Sequence, residues 1–235
     1  MQQLPHRIVF FRSNKFEFVL LTIERVNYNL EGFMYCILVA GMPASGKSTL
    51  ALKISRELNI PMLSKDSIKE KMYDDIGFHS RNEKVKLGNA AMHILYYAAE
   101  QMMKCSMPFV LENNFEDASR PEIMELLTRY RYQGITVLLT GDPAVIYERF
   151  KNRNASEDRH PGHVYDDIYP RPACEEHPVP VQKSREQYLS DVQIRGYNRF
   201  RANGPCIEVN VDDFYQVNYT AVLSAIRGAI CVHEN

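Results

Sequence analysis

The chain has 235 residues, enough for one sizeable α/β domain with an inserted lid. Hydrophobic residues make up 45% and charged residues 24%, which argues against extensive disorder, and a formal net charge of -1 supplies no global attraction for nucleic acid or an anionic membrane. The five cysteines are odd in number and scattered, unlike a secreted disulfide scaffold, and no apolar run approaches the ~20 residues needed to span a bilayer. We therefore expect a reduced, cytoplasmic protein without a membrane partner.

The first 33 residues differ in character from the rest of the chain. Ile8–Phe11 and Phe16–Ile23 are apolar, but charged residues interrupt them and no small-residue cleavage site follows, so a small hairpin is favoured over a signal peptide. Met34 stands directly before the first strong strand pattern. We hypothesise that residues 1–33 are a dispensable or non-native extension, and that residues 34–235 form the functional domain.

After Met34, short apolar runs alternate with longer helical patterns, which is typical of a parallel sheet wrapped by helices. The predicted strands are Tyr35–Ala40, Pro61–Ser64, Pro108–Glu112, Ile135–Thr140 and Cys206–Val211. The predicted helices are Lys47–Leu58, one running from Asp66 toward Tyr73, Asn82–Lys104, one opened by Ser119 and Pro121, Asp142–Asn152, Ser184–Phe200 and Tyr219–Ile230. Residues 153–182 lose all periodicity, so we predict a lid over about 150–182.

The segment Gly41–Ser48 (GMPASGKS) matches the pattern of a P-loop and joins the first strand to the first helix. Its glycines let backbone N–H groups turn inward onto phosphate oxygens, and the helix N-terminus adds partial positive charge. Lys47 would reach the β- and γ-phosphates, and the Ser48 hydroxyl would ligate Mg²⁺. ATP and Mg²⁺ are the predicted cofactors. The predicted nucleotide-binding residues of this segment are Gly41, Ala44, Ser45, Gly46, Lys47, Ser48 and Thr49.

Several classes of protein use a P-loop, and the motifs elsewhere in the sequence distinguish among these classes. The chain has no guanine-reading Asn-Lys-x-Asp motif and no Asp-x-x-Gly switch directly after a predicted strand, and Phe109–Glu112 ends in a single carboxylate where a remodelling ATPase carries Asp-Glu. Small kinases place an acid just after the second strand, and Leu63–Asp66 fits that placement. Asp66 would orient or deprotonate an acceptor hydroxyl, or it would only cap the following helix.

Further charged residues are candidates for the same site. Glu112 ends the third strand, and because carboxyl ends of parallel strands line the ligand crevice we predict that it acts on Mg²⁺ through a bound water molecule. Arg149 and Arg153 are four residues apart and share one helix face. Both are predicted to be catalytic by neutralising the charge on the transferred phosphoryl group. Arg159 is predicted to bind the triphosphate.

Two alternatives arise from residue clusters. His160, His163, Cys174 and His177 have the spacing of a zinc ligand set, although four nearby prolines and the lack of a second cysteine weigh against one. Basic residues cluster at Lys65, Lys69, Lys71, Arg81, Lys84 and Lys86, which would suit a polynucleotide acceptor, but such charges on exposed helices are usually a solvated face.

The chain resembles the small P-loop kinases related to zeta toxin and chloramphenicol phosphotransferase. The resemblance is carried by GMPASGKSTLA, LSKDSIKE, FVLENNF and the RF-K-N-R…RHPGH stretch, and covers roughly residues 35–212. It implies a three-layer α/β fold whose five-stranded parallel sheet has the order 2-3-1-4-5. It also implies ATP and Mg²⁺ as co-substrates, an acceptor site at Asp66 and a lid containing Arg149–Arg159.

The expected function is therefore transfer of the γ-phosphate of ATP to a hydroxyl of a small molecule. The alternatives are a toxin-type kinase of a nucleotide sugar, a polynucleotide 5′-hydroxyl kinase, and a regulatory module that binds ATP without transferring phosphate. Asp66 separates the last of these from the others, because a module without transfer chemistry would tolerate its loss.

Overall fold

A computed structural model describes residues 34–172 and 182–231 of the chain, so the hairpin predicted within residues 1–33 lies outside the described residues. The strands are β1 Tyr35–Gly41, β2 Met62–Ser64, β3 Phe109–Glu112, β4 Gln133–Thr140 and β5 Cys206–Asn210. All neighbours pair in parallel, in the order β2-β3-β1-β4-β5. The order implied by the kinase resemblance is confirmed.

The helices surround this sheet. They are α1 Lys47–Leu58, α2 Lys65–Ile76, α3 Arg81–Lys104, α4 Arg120–Arg129, α5 Pro143–Asn154, α6 Pro161–Val164, α7 Arg185–Arg195 and α8 Tyr219–Cys231. The helix predicted to continue to Phe200 ends at Arg195, because Gly196 adopts the left-handed conformation that terminates helices.

The start of α2 also differs from the prediction. Ser64, rather than Asp66, is the N-cap, and its side-chain oxygen accepts a hydrogen bond from the backbone N–H of Ser67. Asp66 lies inside the first turn, where a negative charge favours the helix dipole. Its carboxylate is therefore not used as the cap.

Buried side chains cover both faces of the sheet. Ile37 and Val39 of β1 join one core cluster with residues of α1, α5, α7 and α8, whereas Cys36 and Leu38 join a second cluster with residues of α3 and α4. This alternation follows from the two-residue period of a strand and produces the expected three layers. Among the described residues no helix is long and apolar enough to cross a membrane.

The lid segment packs against α2. Phe78 and Tyr169 form an antiparallel bridge with two backbone hydrogen bonds of 2.8 Å. Gly162, in α6, lies so close to Tyr73 of α2 that an added Cβ would be 2.3 Å from the ring. Glycine is therefore required for this close approach, and the lid is seated on α2 through its aromatic residues.

Candidate functional site

The segment between β1 and α1 has the backbone of a phosphate cradle. Gly46, the N-cap of α1, has a φ of 90° and offers no side chain to the first amide groups of the helix. Gly41 has a φ of 142°, and an added Cβ there would lie 2.7 Å from the carbonyl oxygen of Leu139. These positions demand glycine, and they leave the N–H groups at the start of α1 to an anion.

Lys47 lies beneath this cradle. Its side chain is buried and its Nζ donates a hydrogen bond of 2.8 Å to the carbonyl oxygen of Met42. Burial lowers the pKa of Lys47 to about 8, although the carboxylates of Glu112 and Asp66 favour the charged form. The three groups therefore share one electrostatic environment, although they come from three separate elements.

Glu112 is the buried acid of the site, with 4% of its surface exposed. Its Oε2 accepts a hydrogen bond of 2.6 Å from Ser64 Oγ, and Ser48 also donates to its carboxylate. Burial raises the pKa of Glu112, while Lys47 opposes that shift. Oxygen donors of this kind suit Mg²⁺, which commonly takes one or two protein ligands, so Ser48 and Glu112 fit the predicted metal position.

Asp66 stands at the opposite wall of the crevice, on the first turn of α2. Its side chain is reached by solvent, yet protein surrounds it closely enough to oppose its ionisation. The neighbouring side chains of His163, Lys69, Arg159 and Lys47 outweigh this burial and lower the pKa of Asp66 overall. Asp66 is thus an accessible carboxylate held in its charged form.

Two arginines bring further positive charge to this crevice. Arg153 lies in the last turn of α5, and Arg159 lies six residues later in the lid segment. The Nε atoms of both side chains are buried and have no hydrogen-bond partner within the described part of the chain. Burial lowers the pKa of both groups, in Arg159 to about 10, while Asp66 attracts each of them. Buried donors without a partner are unusual, and they indicate a place for an anion.

Arg149 was predicted to act together with Arg153, but the two side chains have different neighbours. Its guanidinium donates to the backbone carbonyl groups of Val211 and Asp212 and lies 3.9 Å from the ring centre of Phe214. An added Cβ on Gly46 would lie 3.0 Å from that same ring. Arg149 therefore belongs to the far side of the P-loop and is not among the cations around Asp66, so its predicted catalytic part has no support in its position.

An apolar cavity of about 190 Å³ lies beside these residues. Its walls include Gly46 and Thr49 at the start of α1, Leu139 near the end of β4, and Val211 and Phe214 after β5. It opens next to the phosphate cradle on the side of β4 and β5. A flat, largely apolar group attached to a phosphate chain would fit there.

The lid histidines have partners on α2. His160 Nδ1 accepts a hydrogen bond of 3.1 Å from the N–H of Gly162, so its Nε2 carries the proton that faces Asp74 Oδ1 at 3.0 Å. His163 Nε2 lies 2.8 Å from Glu70 Oε1. The two described histidines of the zinc alternative thus face carboxylates, and no group of three or more His, Cys, Asp or Glu that could hold a metal occurs in the described ranges. Cys174 and His177 lie outside them.

Glu70 and Asp74 were not predicted as parts of the site. They follow Asp66 at intervals of four residues, so the three acids share one face of α2. That spacing was visible in the sequence, but nothing local indicated that the lid would dock there. Glu70 also lies 4.0 Å from Arg159, which connects the lid contact to the crevice.

The sheet order and the segment from β1 to α1, whose N-cap Gly46 makes no side-chain hydrogen bond, together define a P-loop protein with the kinase fold. The profile described as "AAA domain" (AAA_33) matches residues 36–169, and the chain belongs to this family. This agrees with the resemblance seen in the motifs. A comparison with curated proteins gave no match.

Solved structures show the same fold. A protein from Chloroflexus aurantiacus J-10-fl called a "putative kinase" is 23% identical, with a TM-score of 0.66 over 84% of this chain and 96% of its own. A sugar kinase from Janibacter sp. HTCC2649 is 12% identical, with a TM-score of 0.50 over 85% and 96%.

Proposed function

We propose that this protein is an ATP-dependent kinase that transfers the γ-phosphoryl group to a hydroxyl of a small molecule. One observation carries the proposal: the charges of Lys47, Arg153 and Arg159 act on the solvent-accessible carboxylate of Asp66, and within the described residues both arginines keep a buried Nε without a hydrogen-bond partner. Cations placed around an acid that faces solvent suit phosphoryl transfer, which depends mainly on positioning and charge stabilisation. The family membership and the kinase fold agree with it.

In this mechanism the acceptor hydroxyl binds at Asp66. Its oxygen attacks the γ-phosphorus and its proton passes to the Asp66 carboxylate, while the bond from the γ-phosphorus to the β–γ bridging oxygen breaks and ADP leaves with those electrons. Lys47, Arg153 and Arg159 offset the charge on the transferred group. Mg²⁺, held by Ser48 and Glu112, would neutralise part of the triphosphate charge.

The base of ATP would occupy the apolar cavity beside Phe214. Arg149 would hold that side of the nucleotide pocket, because it ties the loop after β5 to α5 through the Val211 and Asp212 carbonyl groups. This arrangement assigns Arg149 to binding of the nucleotide and leaves Arg153 and Arg159 for the phosphates.

The proposal is tested by incubating the protein with γ-labelled ATP and a pool of metabolites, and identifying the compound that takes up label. Lys47→Ala should abolish transfer, because the variant loses the cation nearest the phosphates. Asp66→Asn should lower kcat by about 10² or more, since general-base catalysis contributes that much, with little change in the KM for ATP. Wild-type transfer in Asp66→Asn would refute the assigned mechanism.

The alternatives are separated by the same assay. Label on an added 5′-hydroxyl oligonucleotide would indicate a polynucleotide kinase, and label on a nucleotide sugar would indicate the toxin-type activity. A protein that binds ATP but labels no compound would be the regulatory module.

A further inference from the structure

One face of α2 carries more positive charge than the nucleotide requires. Lys65, Lys69 and Tyr73 follow one another at intervals of four residues, so they form one stripe beside Asp66. Lys65 and Lys69 act on each other as like charges, and both are attracted by Asp66. This stripe lies after β2, at the sheet edge opposite the apolar cavity by β4 and β5.

Two other cations near this stripe, Lys84 and Arg195, already have acceptors. Lys84 donates to the carbonyl oxygen of His163 at 3.1 Å and to Asp166 Oδ1 at 2.7 Å, which fixes it to the lid segment. Arg195 pairs with Glu116 at 2.8 Å. Their charge is therefore used within the protein.

Lys69 differs from them. Within residues 34–172 and 182–231 its ammonium group has no hydrogen bond and no carboxylate within ion-pair distance, and its Nζ lies 5.3 Å from the ring centre of Tyr73. The side chain is half-buried, and burial together with Lys65, Lys84 and Arg159 lowers its pKa to about 8. An ammonium group in such surroundings is stabilised by an anion that approaches it.

The hydroxyl of Tyr73 is a second unsatisfied group on the stripe. Tyr73 is fully buried, and its hydroxyl has no hydrogen-bond partner in the part of the chain that is described. It lies within the electrostatic influence of Asp66 and Arg159. A hydroxyl donor and an ammonium group thus stand on the same face of α2, and neither has an acceptor among the residues that the structure describes.

The triphosphate does not account for these groups, because its route is set by the cavity and the P-loop. The base cavity touches β4 and the segment after β5, the phosphate cradle follows β1, and α2 lies beyond β3 on the far side. A nucleotide that runs from the cavity to Lys47 ends at Asp66. The space beyond Asp66, along Lys69, is left to the acceptor.

We propose that the acceptor is an anionic hydroxy compound, whose carboxylate or phosphate group binds Lys69, with Lys65 beside it, while its hydroxyl lies at Asp66. This substrate class rests on the proposed kinase function. Neutral polyols and sugars lack the group that Lys69 binds, and leaving that ammonium group unpaired in the complex disfavours them.

The substrate class is tested without knowing the compound. A metabolite extract is divided on an anion-exchange resin into retained and unretained fractions, and each is incubated with the full-length protein and γ-labelled ATP. The acceptor should be in the retained fraction. Treating that fraction with a phosphatase, which is removed before ATP is added, separates the two sources: a carboxylate acceptor survives and a phosphomonoester acceptor is lost.

An acceptor found only in the unretained fraction overturns the anionic class and leaves the kinase function standing. No acceptor in either fraction, from protein that binds ATP, overturns the kinase function and the substrate class with it.

The position of the anion is tested with two variants. Lys69→Gln should raise the KM for the retained acceptor roughly 10- to 100-fold and leave the KM for ATP unchanged, since a hydrogen bond to a charged group is lost. Lys71→Gln is the matched control, because Lys71 is exposed on the same helix. Lys69→Arg should recover part of the loss. Equal acceptor KM values for Lys69→Gln and Lys71→Gln overturn the assignment of Lys69.

Discussion

Gly162→Ala is expected to displace the lid from α2 and to slow phosphoryl transfer. The added Cβ would lie 2.3 Å from Cδ2 of Tyr73, 2.9 Å from Cγ and 3.0 Å from Cε2. Ordinary contact begins at 3.4 Å, so a gap of about 1 Å must open. The ring cannot move away freely, because it is fully buried and packs edge-on against Phe78 with 5.2 Å between ring centres.

The magnitude follows from what the lid carries. Overpacking of this kind costs about 1–3 kcal/mol of the free energy of unfolding. Arg159 lies three residues before Gly162, and a shift of about 1 Å at a catalytic group can lower kcat by about 10²-fold. Urea unfolding followed by circular dichroism measures the first quantity, and labelled-ATP transfer measures the second.

Gly228→Ala is the matched control for this change. Gly228 lies in α8, and an added Cβ there meets no atom within 4 Å. The control should therefore raise the free energy of unfolding by about 0.5–1 kcal/mol and leave transfer unchanged. If Gly162→Ala matched the wild type in both stability and kcat, the seating of the lid on Tyr73 would be wrong.

Two further results are expected. Arg153→Ala should lower kcat by about 10² or more, because its charge acts at the crevice that holds Asp66. Arg149→Ala should instead raise the KM for ATP with a smaller change in kcat. Steady-state kinetics of both variants measure these effects, and an exchange of the two would contradict the assignment. The KM for the anionic acceptor should rise as pH increases from 7 to 9, because Lys69, with a pKa of about 8, loses its proton. This rise should vanish in Lys69→Gln. The KM for ATP depends on Lys47 and should keep its pH dependence in both proteins.

The sheet could be predicted from the sequence because each strand and helix has a local signature. The run Tyr35–Ala40 is continuously apolar, as expected for a strand buried on both faces, and the pattern after it demands glycine at two positions. The strand order itself came from the family resemblance, since no local signal specifies which parallel strands are neighbours.

The site was predicted less completely, because its geometry depends on contacts between distant segments. The four-residue spacing of Arg149 and Arg153 places both on one face of α5, but it does not determine which groups their long side chains reach. Arg149 finds the carbonyl groups of Val211 and Asp212, more than 60 residues later in the chain. Helical periodicity contains no information about such a contact.

The function of α2 also becomes clear only through the lid. Its acidic stripe, formed by Asp66, Glu70 and Asp74, receives His163 and His160 and keeps Arg159 near Asp66. The adjacent stripe begins with Lys65 and Lys69, and the ammonium group of Lys69 has no ion-pair partner among the described residues. One helix thus presents the lid with carboxylates and the acceptor with ammonium groups. Removal of Lys69 should consequently affect acceptor binding without releasing the lid, whereas Gly162→Ala should affect both.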